Sequence, residues 1–224
     1  MDSIIEPDDI IKSIVSISKK KNTTGRLNMK YLVIYAHPNP ESFNSAILKT
    51  VTEELIKGNC DFELRDLYAS SFDPVLNLED LKDLGRGTAA KDIKEEQKLV
   101  LSTDYFIVIH PVWWFSMPSI LKGYLDRIFS TGFAFQPSEE GVKGLLEGKR
   151  IISFNTTGAS KKAYEEYGYR DCFRKNICEG IYRFCGLEVT GQHFLYSVAQ
   201  VSDGERKEML EGVKNIMKSE VMGN

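Results

Sequence analysis

His110-Pro111-Val112-Trp113-Trp114-Phe115-Ser116-Met117-Pro118 stands between two stretches of different periodicity. Before it, Tyr105-Phe106-Ile107-Val108-Ile109 is an unbroken apolar run of strand length, the pattern of a strand buried on both faces. After it, Ser119 to Phe129 carries Ile120, Leu121, Tyr124, Leu125 and Ile128 at helical spacing. The prolines bracket an aromatic cluster too bulky for an ordinary short turn. In open parallel sheets a loop of this kind lies at the carboxyl ends of the strands, where ligands bind. A flat, conjugated ligand suits the cluster; a packed aromatic corner or an interface patch would use the same residues.

The same alternation extends in both directions. Tyr31 to Ala36 reads as a first strand, followed by a loop and a helix from Ser42 to Lys57. Phe62 to Leu67 alternates as a second strand, and a long polar excursion through Asp73-Pro74 and Gly85-Arg86-Gly87 precedes a helix over 93–102. The third strand is 105–109, with its helix over 117–129. Arg150 to Asn155 gives the fourth strand, Asp171 to Cys185 a helix, Leu187 onward the fifth strand, and Asp203 to Lys218 the closing helix. Strand alternating with helix predicts an α/β domain with a parallel sheet, right-handed crossovers and helices on both faces. Residues 1–28 form an extension whose Ile10, Ile11, Ile14, Val15 and Ile17 share one helical face after Pro7-Asp8-Asp9, so the domain proper is 29–224.

Composition narrows the function. A chain of 224 residues, 42% hydrophobic, supports one ordinary domain. A net charge of -3 gives no field to attract nucleic acid or anionic membrane, so any ligand phosphate must be held by local groups. Cys60, Cys172, Cys178 and Cys185 show no CxxC pairing, the usage of free thiols in a reducing cytosol. His37, His110 and His193 are too scattered for a histidine-rich metal site. No apolar run approaches the roughly 20 residues that span a bilayer, and the acidic first residues are not those of a signal peptide. The expectation is a cytoplasmic protein. Neither GxGxxG after the first strand nor GxxxxGK[ST] is present, which disfavours a dinucleotide fingerprint of that type and a P-loop.

Three loops converge in such a sheet: 37–44, 111–117 and 156–159. The first can set the amides of Ser42, Phe43 and Asn44 around a phosphate at a helix N-terminus, with His37 beside it; plain helix capping by Ser42 explains the same residues. Thr156-Thr157-Gly158 offers hydroxyls, amides and a backbone free to approach a ring, or a simple turn. Together the three point to a flavin or dinucleotide lying across the sheet edge.

The sequence resembles the NAD(P)H:quinone oxidoreductases of the flavodoxin-like superfamily, the group that includes DT-diaphorase. The likeness rests on Tyr35-Ala36-His37-Pro38 with Ser42-Phe43-Asn44, on Asp66-Leu67-Tyr68-Ala69, and on Trp114-Phe115 followed by Pro118-Ser119-Ile120-Leu121-Lys122-Gly123. It continues through Gly132-Phe133-Ala134-Phe135, Thr156-Thr157-Gly158, Phe184-Cys185-Gly186, and Arg206 with Leu210-Glu211-Gly212. The resemblance implies a flavodoxin-like, doubly wound five-stranded sheet of order 2-1-3-4-5 and a homodimer with each site completed across the interface. It implies that His37, Ser42, Phe43 and Asn44 bind flavin phosphates. Pro111, Val112, Trp113, Trp114 and Phe115 then wall the ring, and Thr156, Thr157 and Gly158 meet its polar edge. Val198, Arg206 and Leu210 reach an adenosine half, which favours FAD over FMN. Tyr164 offsets charge on the reduced ring, and Trp114, Phe135 and Tyr164 contact the acceptor. NAD(P)H would deliver hydride, leave, and be replaced by a quinone in a ping-pong cycle.

The departures are specific. Arg170 stands where the family carries a histidine; a permanent cation there still offsets negative charge but cannot shuttle a proton near neutral pH. Phe135 and Pro137 replace tyrosines of mammalian members, and Trp113 adds bulk. Three other functions suit the same framework: a flavodoxin-type electron carrier, a regulatory flavoprotein subunit of a membrane transport system, and an azo- or nitroreductase.

Overall fold

β1 (Lys30–Tyr35), β2 (Asp61–Asp66), β3 (Tyr105–Pro111), β6 (Arg150–Thr156) and β7 (Glu188–Leu195) form one parallel sheet in the order β2-β1-β3-β6-β7. The computed structural model describes residues 29–223, so the amphipathic pattern of residues 1–28 lies outside the described residues. The expected topology holds once strands are counted as built: β4 (Phe135–Ser138) and β5 (Gly141–Gly144) form a separate antiparallel hairpin, and the fourth and fifth sheet strands become β6 and β7.

Alternation along the strands divides the core in two. Tyr31, Val33 and Tyr35 of β1 and Tyr105, Ile107 and Ile109 of β3 face α1 (Phe43–Lys57), which supplies Ile47, Leu48, Val51 and Leu55. Leu32, Ile34, Phe106 and Val108 face the other way, against Ile93 and Val100 of α3 (Lys91–Ser102) and Ile120, Leu121, Tyr124, Leu125 and Ile128 of α4 (Ser119–Ile128). Every residue of β3 is buried, as its unbroken apolar run requires. α4 begins two residues later than expected, with Pro118 as its N-cap in an extended conformation.

Several elements escape the periodicity. α2 (Leu78–Gly85) opens on a capping box between Asn77 and Asp80 inside the expected polar excursion. Arg127 of α4 pins it, with Nε 2.9 Å from Asp80 Oδ2, Nη2 3.0 Å from Asp92 Oδ2 and Nη1 donating to the Asp73 carbonyl. The excursion then passes so close to α4 that a Cβ on Gly123 would collide with the Pro74 carbonyl. α5 (Lys161–Glu166) is capped by Ser160, and the helix expected at 171–185 starts earlier, as α6 (Tyr169–Phe173), before widening into a π-helical stretch, Arg174–Arg183. α7 (Asp203–Ile216) closes the fold. A Cβ on Gly144 would strike the backbone at Gly186, so the hairpin is seated on the end of the π-helical stretch. No described helix is long and apolar enough to cross a membrane.

Candidate functional site

The loops after β1, β3, β6 and β7 meet at the carboxyl end of the sheet and are laced together by hydrogen bonds. Val112 N–H donates to the Thr156 carbonyl (2.8 Å), Thr157 N–H to the Leu195 carbonyl (2.9 Å), and Val198 N–H to the Thr157 carbonyl (3.1 Å). Asn44 Nδ2 lies 2.8 Å from Thr156 Oγ1, tying the first loop to the third through two buried side chains. Arg206 completes the ring: its Nε donates to the Val198 carbonyl (3.0 Å) and its Nη1 meets Asp203 (2.6 Å).

Ser42 caps α1 by accepting from Ser45 N–H (3.2 Å), so the capping function expected of it is real. His37 turns its Nδ1 onto the Asn39 backbone, and its ring stands 6.0 Å from Trp113. Partial burial holds its pKa below the ordinary histidine value. Phe43 and Leu210 are half-buried against the α1 side of the core.

The second loop is strained. Trp113 and Ser116 exchange both backbone hydrogen bonds at 3.0 Å, and the two central residues, Trp114 and Phe115, have φ of 50° and 55°. That left-handed pair is the sign pattern of a type I′ turn, which ordinarily takes Asn-Gly. The Trp114 side chain is 96% exposed and Trp113 41%. Phe115, by contrast, stacks on Tyr169 at 3.8 Å and approaches Tyr164 at 6.3 Å.

Tyr164 is buried in an aromatic group with Tyr169, Phe194 and Tyr196, and that burial pushes its hydroxyl pKa up to about 12. It remains a neutral donor at any physiological pH. Gly158 caps the opening: a Cβ there would meet no atom within 4 Å.

Two expected members stand apart. Arg170 is exposed on α6 and lines a neighbouring cleft of about 460 Å³ with Lys161, Gln192, Tyr196 and Met209. Its charge acts on the Tyr196 hydroxyl, one ring removed from Tyr164. Phe135, expected to contact the acceptor, packs edge-on against Phe184 (5.0 Å) in an apolar groove with Leu76, Leu81 and Phe129. Sequence reasoning assigned His110 no role, although a lone ionisable residue ending a buried apolar strand was visible; it is fully buried.

A family model described as a flavodoxin-like fold matches residues 29–217. The chain belongs to this family. It is 33% identical over 184 residues to an uncharacterized NAD(P)H oxidoreductase of Haemophilus influenzae, covering 82% of this chain and 91% of that protein. It is also 33% identical over 215 residues to the ribosyldihydronicotinamide dehydrogenase [quinone] of Mus musculus, covering 85% and 93%. Among solved structures, a candidate quinone reductase from Klebsiella pneumoniae superposes with a TM-score of 0.79 at 27% identity, over 85% of this chain and 84% of that one.

The residues present fit a flavin nucleotide. The Trp114 indole is almost fully exposed, and the Gly158 turn, tied to this loop by the Val112–Thr156 hydrogen bond, would leave a Cβ with no atom within 4 Å. Beside it the buried Asn44 Oδ1 has no partner. Turning that amide over lets the Thr156 hydroxyl donate to Oδ1 and leaves Nδ2–H as an unpaired donor at the start of α1.

Proposed function

We propose that this protein is a flavin-dependent NAD(P)H:quinone oxidoreductase that reduces quinones or similar flat acceptors by two electrons. One observation carries the reading: Trp114, an almost fully exposed indole, is held in a left-handed backbone on a loop hydrogen-bonded, through Val112, to the Thr-Thr-Gly turn. The folded chain gains little from that ring by itself, which supports a role for it in holding a ligand. Bound there, the flavin would supply the carrier that takes hydride from NAD(P)H and passes it to the acceptor.

The rest of the chemistry belongs to the chain. Trp113, Trp114, Phe115, Pro111 and Val112 fix the plane of the ring and keep water from one face. Thr156 and Thr157, held by Asn44 and by the Ala159 and Leu195 carbonyls, fix the turn that brings the exposed Gly158 to its polar edge. The neutral Tyr164 hydroxyl donates toward charge that develops there, and Arg170 adds a weaker field from beyond Tyr196. His37, Ser42, Phe43 and Asn44 take the phosphate end at the start of α1, where the helix dipole favours an anion.

Two finer steps extend this reading. Val198, Arg206 and Leu210 offer a shelf for an adenosine half, which favours FAD. The exposed apolar run Val75, Leu76, Leu78 and Leu81, together with the Phe135–Phe184 pair, offers a homodimer surface on which a second copy would bring its Phe135 to the site.

The test is an absorbance spectrum of the purified protein, chromatography of the released cofactor, and steady-state NADPH oxidation with menadione. A flavin spectrum with rapid turnover supports the enzyme, and released FMN would remove the FAD step. A yellow protein without turnover would be a carrier, and a colourless one that refuses added flavin ends the reading.

A further inference from the structure

The apolar run of β3 ends on an ionisable residue that is wholly enclosed. His110 pairs in register with Asn155 of β6, and its ring stacks on Phe173 of α6 (6.1 Å, 19°). Burial drives its pKa down to about 4, so the imidazole is neutral and carries one N–H. Nδ1 lies 2.8 Å from the Pro111 carbonyl oxygen. A carbonyl only accepts, which places the proton on Nδ1 and directs the bond from His110 to Pro111.

Pro111 is where the chain leaves the sheet. It has no N–H and a fixed φ, so its own backbone can be held only through its carbonyl. Val112 is held next by the Thr156 carbonyl, and then come two successive left-handed residues that L side chains disfavour. A turn of that kind keeps its direction only if its entry is fixed.

We propose that His110 is a positioning residue whose Nδ1–H, by holding the Pro111 carbonyl, sets the direction of the Trp113–Ser116 turn and hence of the wall that meets the ligand. The last clause rests on the flavin reading; the loop-holding part does not. A residue that merely filled space against Phe173 would be replaceable by phenylalanine.

The chain has two tryptophans, Trp113 and Trp114, both on this turn. The full-length, flavin-free protein labelled with ¹⁵N therefore shows two indole signals that report this loop alone. Three variants separate the roles. His110→Phe keeps the ring and the stacking but no N–H. His110→Asn places an amide N–H near the Nδ1 position, and His110→Gln reaches only the Nε2 position. We expect His110→Phe and His110→Gln to displace both indole signals and to raise amide hydrogen exchange across 112–116 about 10-fold. His110→Asn should restore both readouts to within about 3-fold of the unaltered protein. FMN affinity should follow the same order. Unaltered indole signals and exchange in His110→Phe would overturn the assignment. If His110→Phe does not fold, His110→Asn and His110→Gln decide alone, since equal behaviour of those two would also overturn it. A loosened loop in His110→Phe combined with no FMN uptake by the unaltered protein would sink the flavin reading while leaving the positioning role intact.

Discussion

Replacing Trp114 by asparagine should make the flavin-free protein more stable while weakening its hold on flavin. The indole is 96% exposed, so its removal costs the fold almost no packing. Its backbone, at φ 50°, is in a region that costs an L residue about 1–2 kcal/mol and that asparagine tolerates well. Trp114→Asn should therefore stabilise the stripped protein by about 1 kcal/mol, equivalent to a Tm rise of about 2–4 °C at this chain length. Binding moves the other way. If the ring of a bound flavin covers about 100 Å² of the indole, at about 25 cal/mol per Å² its loss weakens binding by about 2.5 kcal/mol, or roughly 70-fold in Kd. Calorimetric scans of stripped protein and flavin fluorescence titration measure the two halves separately. Trp114→Phe is the control, since it keeps the strained backbone and part of the ring surface and should gain no stability. A stripped Trp114→Asn protein no more stable than the original, or one binding flavin within about 3-fold of it, would refute the reasoning.

Other outcomes rest on the same geometry. Tyr164→Phe should lower turnover about 10- to 100-fold with little change in flavin affinity, and because the hydroxyl titrates only near 12, the rate of the unaltered enzyme should show no tyrosine limb up to about pH 10 in stopped-flow profiles. Arg170→Gln should reduce turnover less than about 5-fold, since its exposed charge acts from beyond Tyr196 through screened solvent. Arg127→Met should destabilise by about 3–5 kcal/mol in urea titrations, because it strands the buried Asp80 carboxylate. The ion pair holds the Asp80 pKa below its ordinary value, so its stabilisation is complete above the ordinary carboxylate range and fades as pH falls through the depressed value; the acid limb of stability should be shallower in Arg127→Met. Asn44→Ala, which cuts the link to Thr156, should cost about 1–2 kcal/mol and loosen flavin binding as well.

The parts of this molecule that were legible in its sequence are those where burial imposes a period. β3 is covered on both faces and reads as continuous apolar residues, and α1 and α4 present stripes that pack on opposite sides of it. The exposed elements left weaker signals. β4 and β5 are four residues each and mostly solvent-facing, with Pro137 and Gly141 among them, so no alternation develops. α2 exposes Leu78 and Leu81, which disguised it as a polar excursion, although its Asn77–Asp80 capping box was there to be found. Ten residues are too few to distinguish the wider winding of 174–183 from an ordinary helix. In the site, residue types pointed to loops that the fold does bring together, while the position of Arg170 beside Tyr196, and of Phe135 in its groove, depended on contacts between elements far apart in the chain.

The seat of Gly144 against Gly186 bears on how the β4–β5 hairpin tolerates change. Because main chain rests on main chain there, Phe135 and Phe184 are carried on a single rigid block and cannot be resized independently by letting one strand drift. A side chain added at Gly144 would therefore lift the hairpin and part the two rings at once, whereas trimming either ring alone would leave that footing untouched.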